Sequence, residues 1–375
     1  EYIQGISEVK SYNLIGKQTK RLNAANEACV RANVKMELAY VPYHFLQSVV
    51  TKLTGAAIIG LSAYFYINGS MSVLYAVGMS IAAFMLYGGL ETMGTFSSLI
   101  HVVSVCVDKA NVVLGLDTMD IDGKELNPEN HDIEVKNIEF SYDKRKIIDG
   151  ISLTIPEKTT TAIVGPSGGG KTTLCNLIAR FWDVDSGEIT LSGTNVKDYS
   201  MNSLMNNFSF VFQNVYLFAD TIENNIKFGR PEATHEEVVE AAKKACCHDF
   251  ISKLPDGYNT VIGEGGATLS GGEKQRISIA RAIMKDSPII ILDEATANVD
   301  PENEKELTLA VDALTKEKTI IMIAHRLKTV RHADQIVVVD QGRIAQKGTH
   351  EELMKQDGIY RRFVDSRELA VSWKI

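Results

Sequence analysis

An α/β domain on a largely parallel sheet, entered from an N-terminal helical segment of membrane character, is the architecture this sequence predicts. Three observations carry it. Short β-rich runs at Ile133 to Phe140, Thr160 to Val164, Ile289 to Leu292, Thr319 to Ile323 and Ile336 to Val339 alternate with helical segments, the pattern of a sheet whose crossovers are helices. A glycine-rich loop follows the second of these runs directly. Ahead of the first run, Leu53 to Ile67 and Met71 to Leu90 are almost wholly apolar or small and carry no charge, with the turn signal Asn68-Gly69-Ser70 between them.

The helical segment comes first. Leu53 to Ile67 is shorter than the ~20 residues a bilayer demands, but Val41 to Val50 extends it apart from Lys52, whose ammonium can snorkel or face a cavity. The two runs read as a membrane hairpin in contact with lipid. Lys10, Lys17, Lys20, Arg21, Arg31 and Lys35 precede it and Lys109 follows it, so both outer ends are expected on the cytoplasmic side. Asn68-Gly69-Ser70 also fits a glycosylation acceptor, but its place in the tight connection makes it a turn. Glu91 is the one acidic residue between Met71 and Val107. At ~1.5 Å rise per residue it falls near the inner edge of the hydrocarbon, where it either faces a central cavity or a partner or sits at the headgroup level. Leu116 to His131 is polar and broken by Asp, Gly, Asn and Pro. The expected division is a membrane fragment over 1–116, a linker over 117–131 and the α/β domain over 132–375.

Composition narrows the classes. The chain has 375 residues, 45% of them hydrophobic, and a net charge of −8. Up to Asp120 eight basic and eight acidic residues cancel, so the acidity resides in the remainder and a basic nucleic-acid surface is excluded. Cys29, Cys106, Cys175, Cys246 and Cys247 form no C-x-x-C pair, and reduced cytosolic thiols are expected. The chain opens without Met in what reads as the middle of a helix, which predicts an N-terminally incomplete chain.

The chemistry sits in the second half. Gly165-Pro166-Ser167-Gly168-Gly169-Gly170-Lys171-Thr172-Thr173 is a phosphate-binding loop: its glycines let backbone N–H groups face the phosphates, Lys171 adds a point charge, and the Thr172 hydroxyl is a Mg²⁺ ligand. About a hundred residues later, Leu269-Ser270-Gly271-Gly272-Glu273 puts a hydroxyl and two bare glycines at an expected helix N-terminus, where backbone donors and the helix dipole favour a phosphate. Asp293 and Glu294 close the buried strand Ile289 to Leu292, so Asp293 can reach the Mg²⁺ shell and Glu294 can polarise an attacking water. Other residues are ambiguous alone. His325 ends an apolar strand, where it is a structural histidine or a γ-phosphate sensor. Gln213, after Phe208 to Phe212, is a surface amide or a contact to metal and water, and Tyr142 is a packed tyrosine or an adenine-stacking ring.

Taken in order, aromatic 142, phosphate loop 165 to 173, Gln213, signature 269 to 275, carboxylates 293 and 294, Asp300 and His325 resemble the ABC ATPase domain in full, over about Ile133 to Phe363. With apolar helices fused upstream, the chain resembles an exporter-type (type IV) ABC half-transporter. The resemblance implies a RecA-like α/β core with a helical subdomain, ATP and Mg²⁺ as ligands, and Tyr142, Gln213, Asp300 and His325 as A-loop, Q-loop, D-loop and switch histidine. It further implies that Glu264 sits in an X-loop near the coupling helices, and that Gly5 to Lys10 docks on the partner. The apolar hairpin resembles membrane helices five and six of six. By the same resemblance the chain is expected to form head-to-tail dimers with a second half-transporter, identical or different, in the plasma membrane as a multi-pass protein with a cytoplasmic ATPase domain. Export of a substrate is the leading reading. Siderophore or metal-chelate uptake is the alternative, resting on Gly263 to Gly266, Asp300 to Asn303 and Trp373, and a soluble ABC ATPase acting on nucleic acid is a rival. Departures from the pattern are Gly169 for a common serine, Glu273 for a common glutamine, and Asn298-Val299 before Asp300.

Overall fold

The computed structural model describes residues 10–11, 20–116, 119, 121–143, 145–266, 269–293, 301–324 and 327–372, with backbone alone for some of them, Glu91 and Glu264 included. The chain separates into two compact units, Glu1–Asp117 and Thr118–Ile375.

The first unit is a helical hairpin. Helix α1 spans Lys20–Ile67 and α2 spans Val73–Leu114, 48 and 42 residues long. At ~1.5 Å per residue each exceeds the ~30 Å hydrocarbon core about twofold. Both run far past the apolar stretches seen in the sequence: α1 continues through Pro42 to the turn at Asn68-Gly69, and α2 ends at Gly115. In the turn, Asn68 N donates to Tyr64 O and Ser70 N to Phe65 O, both at 3.0 Å, and Gly69 takes φ 73°. Among the described residues Leu22–Ile67 is long and apolar enough to cross a membrane, and Val73–Met85 is a shorter apolar helix. Leu53, Leu61, Ile67, Leu74, Phe84 and Met85 all stand exposed. Such a surface is at home against lipid. The hydroxyls of Thr51, Thr54 and Ser80 bond back to the carbonyls of Gln47, Val50 and Ala76 at 2.7, 2.7 and 2.9 Å, which leaves none of the three donors seeking water.

The second unit carries ten strands among its described residues: β1 (Ile133–Tyr142), β2 (Arg145–Ile155), β3 (Thr160–Val164), β4 (Ser186–Leu191), β5 (Thr194–Asn195), β6 (Phe208–Val211), β7 (Ile289–Asp293), β8 (Thr319–Ile323), β9 (Gln335–Asp340) and β10 (Arg343–Gly348). Its helices are α3 (Lys171–Ile178), α4 (Met201–Asn206), α5 (Ile222–Lys227), α6 (His235–Lys244), α7 (His248–Ser252), α8 (Gly271–Lys285), α9 (Pro301–Thr315), α10 (Leu327–Arg331), α11 (His350–Met354) and α12 (Ile359–Ser372). A six-stranded sheet in the order β10-β9-β3-β8-β7-β6 is parallel except for β10, and a four-stranded antiparallel sheet has the order β2-β1-β4-β5.

The run Ile133 to Phe140, expected in the parallel sheet, belongs instead to the antiparallel one. Its alternating burial is the reason: β1 covers the core with one face only, whereas Thr161 to Val164 and all of β8 are buried on both. Strand periodicity sorts the parallel sheet into two cores. Val164, Ile290, Leu292, Ile320, Met322 and Val338 join the cluster under α6, α8 and α9. Ile163, Ile289, Ile291, Ile321, Val337 and Val339 join the cluster shared with β1, β2 and α3. Residues 121–126, read as part of a linker, lie along the start of α4: Lys124 N donates to Asp198 O and Ser200 N to Lys124 O, both at 2.8 Å.

Candidate functional site

The loop 165–170 connects β3 to α3, and two of its glycines are demanded by geometry. Gly165 has φ 144°, and a Cβ there would lie 2.0 Å from the Val339 carbonyl oxygen. Gly170, the N-cap of α3, has φ 105°. Only glycine holds such angles without strain. The loop is braced by the β9–β10 turn, where Gln341 and Gly342 both take positive φ, the two-residue hairpin geometry that follows strand twist. Gly342 N donates to Gly169 O at 3.0 Å and Asp149 N to Gly342 O at 2.9 Å. Hydrogen bonds from Lys146 and then Arg343 hold the Asp149 carboxyl below its usual range, so this corner is charge-stitched as well.

Lys171 opens α3 with its side chain turned back over the loop, Nζ donating to Gly165 O at 3.0 Å and Pro166 O at 2.8 Å. A concavity of about 240 Å³ is lined by Tyr142, Arg145, Gly168, Gly170, Lys171 and Thr172, among others. It brings the sequence-predicted aromatic residue to the phosphate loop. Tyr142 meets Phe140 edge-on at 4.8 Å and Trp182 at 5.5 Å between ring centroids, which fixes its ring while leaving 38% of the residue exposed. Arg145 and Trp182 were not anticipated: one follows a turn whose end no periodicity marks, the other sits beyond α3 with no strand signal.

Asp293 ends β7 in register with Ile323 of β8, whose own neighbour is Ile163 of β3. Three parallel strands therefore deliver their carboxyl ends to one place, where open α/β sheets bind ligands. Asp293 Oδ2 lies 3.4 Å from Thr172 Oγ1, a pair of hard oxygen donors suited to Mg²⁺. Beneath them Cys175 is fully buried, and burial, then the Asp293 charge, push its thiol far above the usual range. Gln213 is exposed two residues past β6, the strand beside β7. Glu294, Asp300 and His325 lie outside the described residues, as do the side chains of Glu91 and Glu264, Trp373, and Gly5 to Val9.

The signature turn is built on α8. Ser270 is the N-cap and forms a capping box with Glu273: Ser270 N and Oγ both donate to Glu273 Oε2 at 2.8 Å, and Glu273 N donates to Ser270 Oγ at 3.4 Å. Gly271 is exposed and Gly272 buried, with Leu269 partly buried against the core. None of residues 269–273 lines the 240 Å³ concavity. At the far end of α8, Arg281 donates to Asn225 O at 2.6 Å, Asn225 Oδ1 at 2.5 Å and Tyr216 O at 2.8 Å, with its guanidinium 5.8 and 5.6 Å from the ring centroids of Phe218 and Phe228. Burial lowers its pKa to about 10. A larger concavity of about 530 Å³, between α6, α8 and α9, holds none of the predicted site residues.

Comparison with known proteins agrees with this architecture. The ABC transporter family model matches residues 148–297. The chain is 40% identical to an ATP-dependent lipid A-core flippase of Desulfotalea psychrophila over 96% of its length and 64% of the relative's. It is also 40% identical to a protein of Staphylococcus aureus provisionally named a multidrug export ATP-binding/permease protein, over 98% of this chain and 65% of that one. A solved structure of a bacterial Atm1-family ABC exporter with ATP bound superimposes with a TM-score of 0.83 at 32% identity, covering 98% of this chain and 65% of that one. The chain thus spans just under two thirds of the length of the relatives it matches. With an ABC transporter domain matched over residues 148–297 behind apolar helices, and similarity to these relatives along nearly its whole length, the chain carries an ABC ATPase domain and has the fold of exporter-type ABC half-transporters.

Proposed function

We propose that this chain works in an ABC half-transporter that binds and hydrolyses ATP between two ATPase domains and uses the cycle to export a substrate across the plasma membrane. The observation that carries the reading is the separation of two phosphate-binding elements on one domain: the braced loop with Lys171, Thr172 and Asp293, and the signature turn at Ser270, which lines none of the loop's concavity. Each element is half of a site. A second half-transporter, docked head to tail, supplies the other half, so each ATP lies between one loop and the opposite Ser270 to Gly272. The exporter names of the relatives support export and do not favour the siderophore-uptake alternative, and the acidic balance with the apolar hairpin speaks against a nucleic-acid ATPase.

In this reading Tyr142 stacks on the adenine, backbone N–H groups of 165–173 take the β- and γ-phosphates, and Lys171 swings from the loop carbonyls to a phosphate oxygen. Thr172, Asp293 and Gln213 would hold Mg²⁺, which when bound neutralises charge on the phosphates. Glu294 aligns the attacking water, His325 holds the γ-phosphate, and Asp300 and Glu264 carry the signal towards the partner domain and the membrane helices. The test mixes two variants of this chain in the full-length protein. Ser270→Arg in one copy and Lys171→Ala in the other fall on the same composite site, so a mixed dimer keeps its second site and regains ATPase activity that neither pure variant shows. A mixture as inactive as its components would contradict the shared-site reading.

A further inference from the structure

Resting on that reading, we infer that Glu273 is a positioning residue that latches the signature serine against its own helix and so sets the ATP concentration at which the two ATPase domains close. The observation is the direction of the Ser270 hydroxyl. In a capping box the serine Oγ accepts from the N3 amide while the N3 side chain accepts from the N-cap amide. The accepted bond from Glu273 N, 3.4 Å, is like those of the boxes at Thr234 and Thr349, 3.3 and 3.4 Å, but here Oγ also donates its own proton to Glu273 Oε2 at 2.8 Å. The same oxygen takes Ser270 N at 2.8 Å. One carboxylate oxygen therefore holds the Ser270 hydroxyl, the side-chain donor that a phosphate approaching the start of α8 would meet, together with the Ser270 amide.

The charge compounds the competition. Glu273 is the acidic residue of the first turn of α8, where its carboxylate already complements the positive end of the helix. The nearest basic side chain in sequence, Lys274, is directed elsewhere, its Nζ donating to Gly265 O at 3.0 Å. An incoming phosphate must therefore displace a charge-assisted O–H···O⁻ bond and approach a like charge within a few ångströms. A glutamine at this position, the common residue in the ABC ATPase pattern, offers a neutral oxygen that caps the same amide without the charge. Closure with glutamine consequently needs less ATP than closure with glutamate.

The experiment titrates ATP-driven closure in the full-length protein reconstituted in lipid, read as the distance between spin labels on the two ATPase domains, in a Glu294→Gln background that retains ATP. Adding Glu273→Gln is expected to lower the midpoint by about three- to tenfold, the range of one charge-assisted hydrogen bond exchanged for a neutral one. Glu273→Ala keeps the Ser270 cap on the amide of residue 273 and is expected to shift the midpoint the same way, which separates the latch from folding of one variant. A purely structural cap predicts the opposite sign, because weakening the helix start raises the ATP requirement. A midpoint unchanged or raised in both variants overturns the latch. If ATP produces no closure even with Glu273 intact, the failure belongs to the composite-site reading.

Discussion

Gly165 sets the strictest steric condition in the phosphate loop, because any Cβ there would fall 2.0 Å from the Val339 carbonyl. Gly165→Ala is therefore expected to displace the loop from β9 and abolish nucleotide binding, with a loss of stability of about 2 kcal/mol or more from strain at φ 144°. Isothermal titration with ATP and a denaturant melt check the two effects, and wild-type affinity in this variant would show that the loop tolerates another path. Tyr142 makes a graded case. Tyr142→Phe keeps the ring against Phe140 and Trp182 and should leave the KM for ATP within about twofold, while Tyr142→Ala should raise it roughly tenfold, one stacking interaction. An equal KM in both would remove Tyr142 from the adenine site. Residues of this kind were legible because each motif pairs a residue type with a chemical need. The brace was not: Gly342 touches the loop, and Asp149 touches Gly342, only through the fold, and nothing in Asp340-Gln341-Gly342-Arg343 beyond a hairpin signal announces those contacts.

At the level of elements, α8 joins the two functional ends of the ATPase domain. Its first turn is the signature, and Arg281 near its other end is bonded to the segment that follows Gln213. Arg281→Ala leaves Asn225 and Tyr216 carbonyls without their donor and uncovers the stacked rings of Phe218 and Phe228, a cost of about 2 to 3 kcal/mol. Arg281→Lys should recover little of it, since one ammonium cannot replace three directed N–H groups and a stacked plane. Chemical denaturation of the full-length protein measures both, and a fully stable lysine variant would contradict the account. The parallel strands β3 and β8, buried except at Thr160, matched the sequence to the residue because five-residue runs rich in β-branched side chains are too short for a helix and read as buried strands. Strands β2, β4, β5 and β10 were missed. Their polar outer faces, the Gly150 inside β2 and the two-residue length of β5 leave no periodicity to see, so the antiparallel sheet became visible only through pairing.

For the whole molecule, the proposed transport couples the apolar helices to the ATPase domain, and Glu91 is the hairpin residue that bears on it. If Glu91 lines the substrate path, Glu91→Gln should change transport of cationic compounds by several-fold while basal ATP turnover continues, because an ionisable group near the hydrocarbon edge is retained for a partner rather than for stability. Unchanged transport across a panel of charged and neutral compounds returns Glu91 to the headgroup level. The central claim is that Glu294 of this chain drives ATP hydrolysis at a site completed by a second subunit. Steady-state ATP turnover of the full-length protein carrying Glu294→Gln, measured beside ATP binding, tests it most directly. The account predicts retained binding with turnover reduced at least about a hundredfold, the scale of a lost general base. Near-normal turnover in that variant would contradict it.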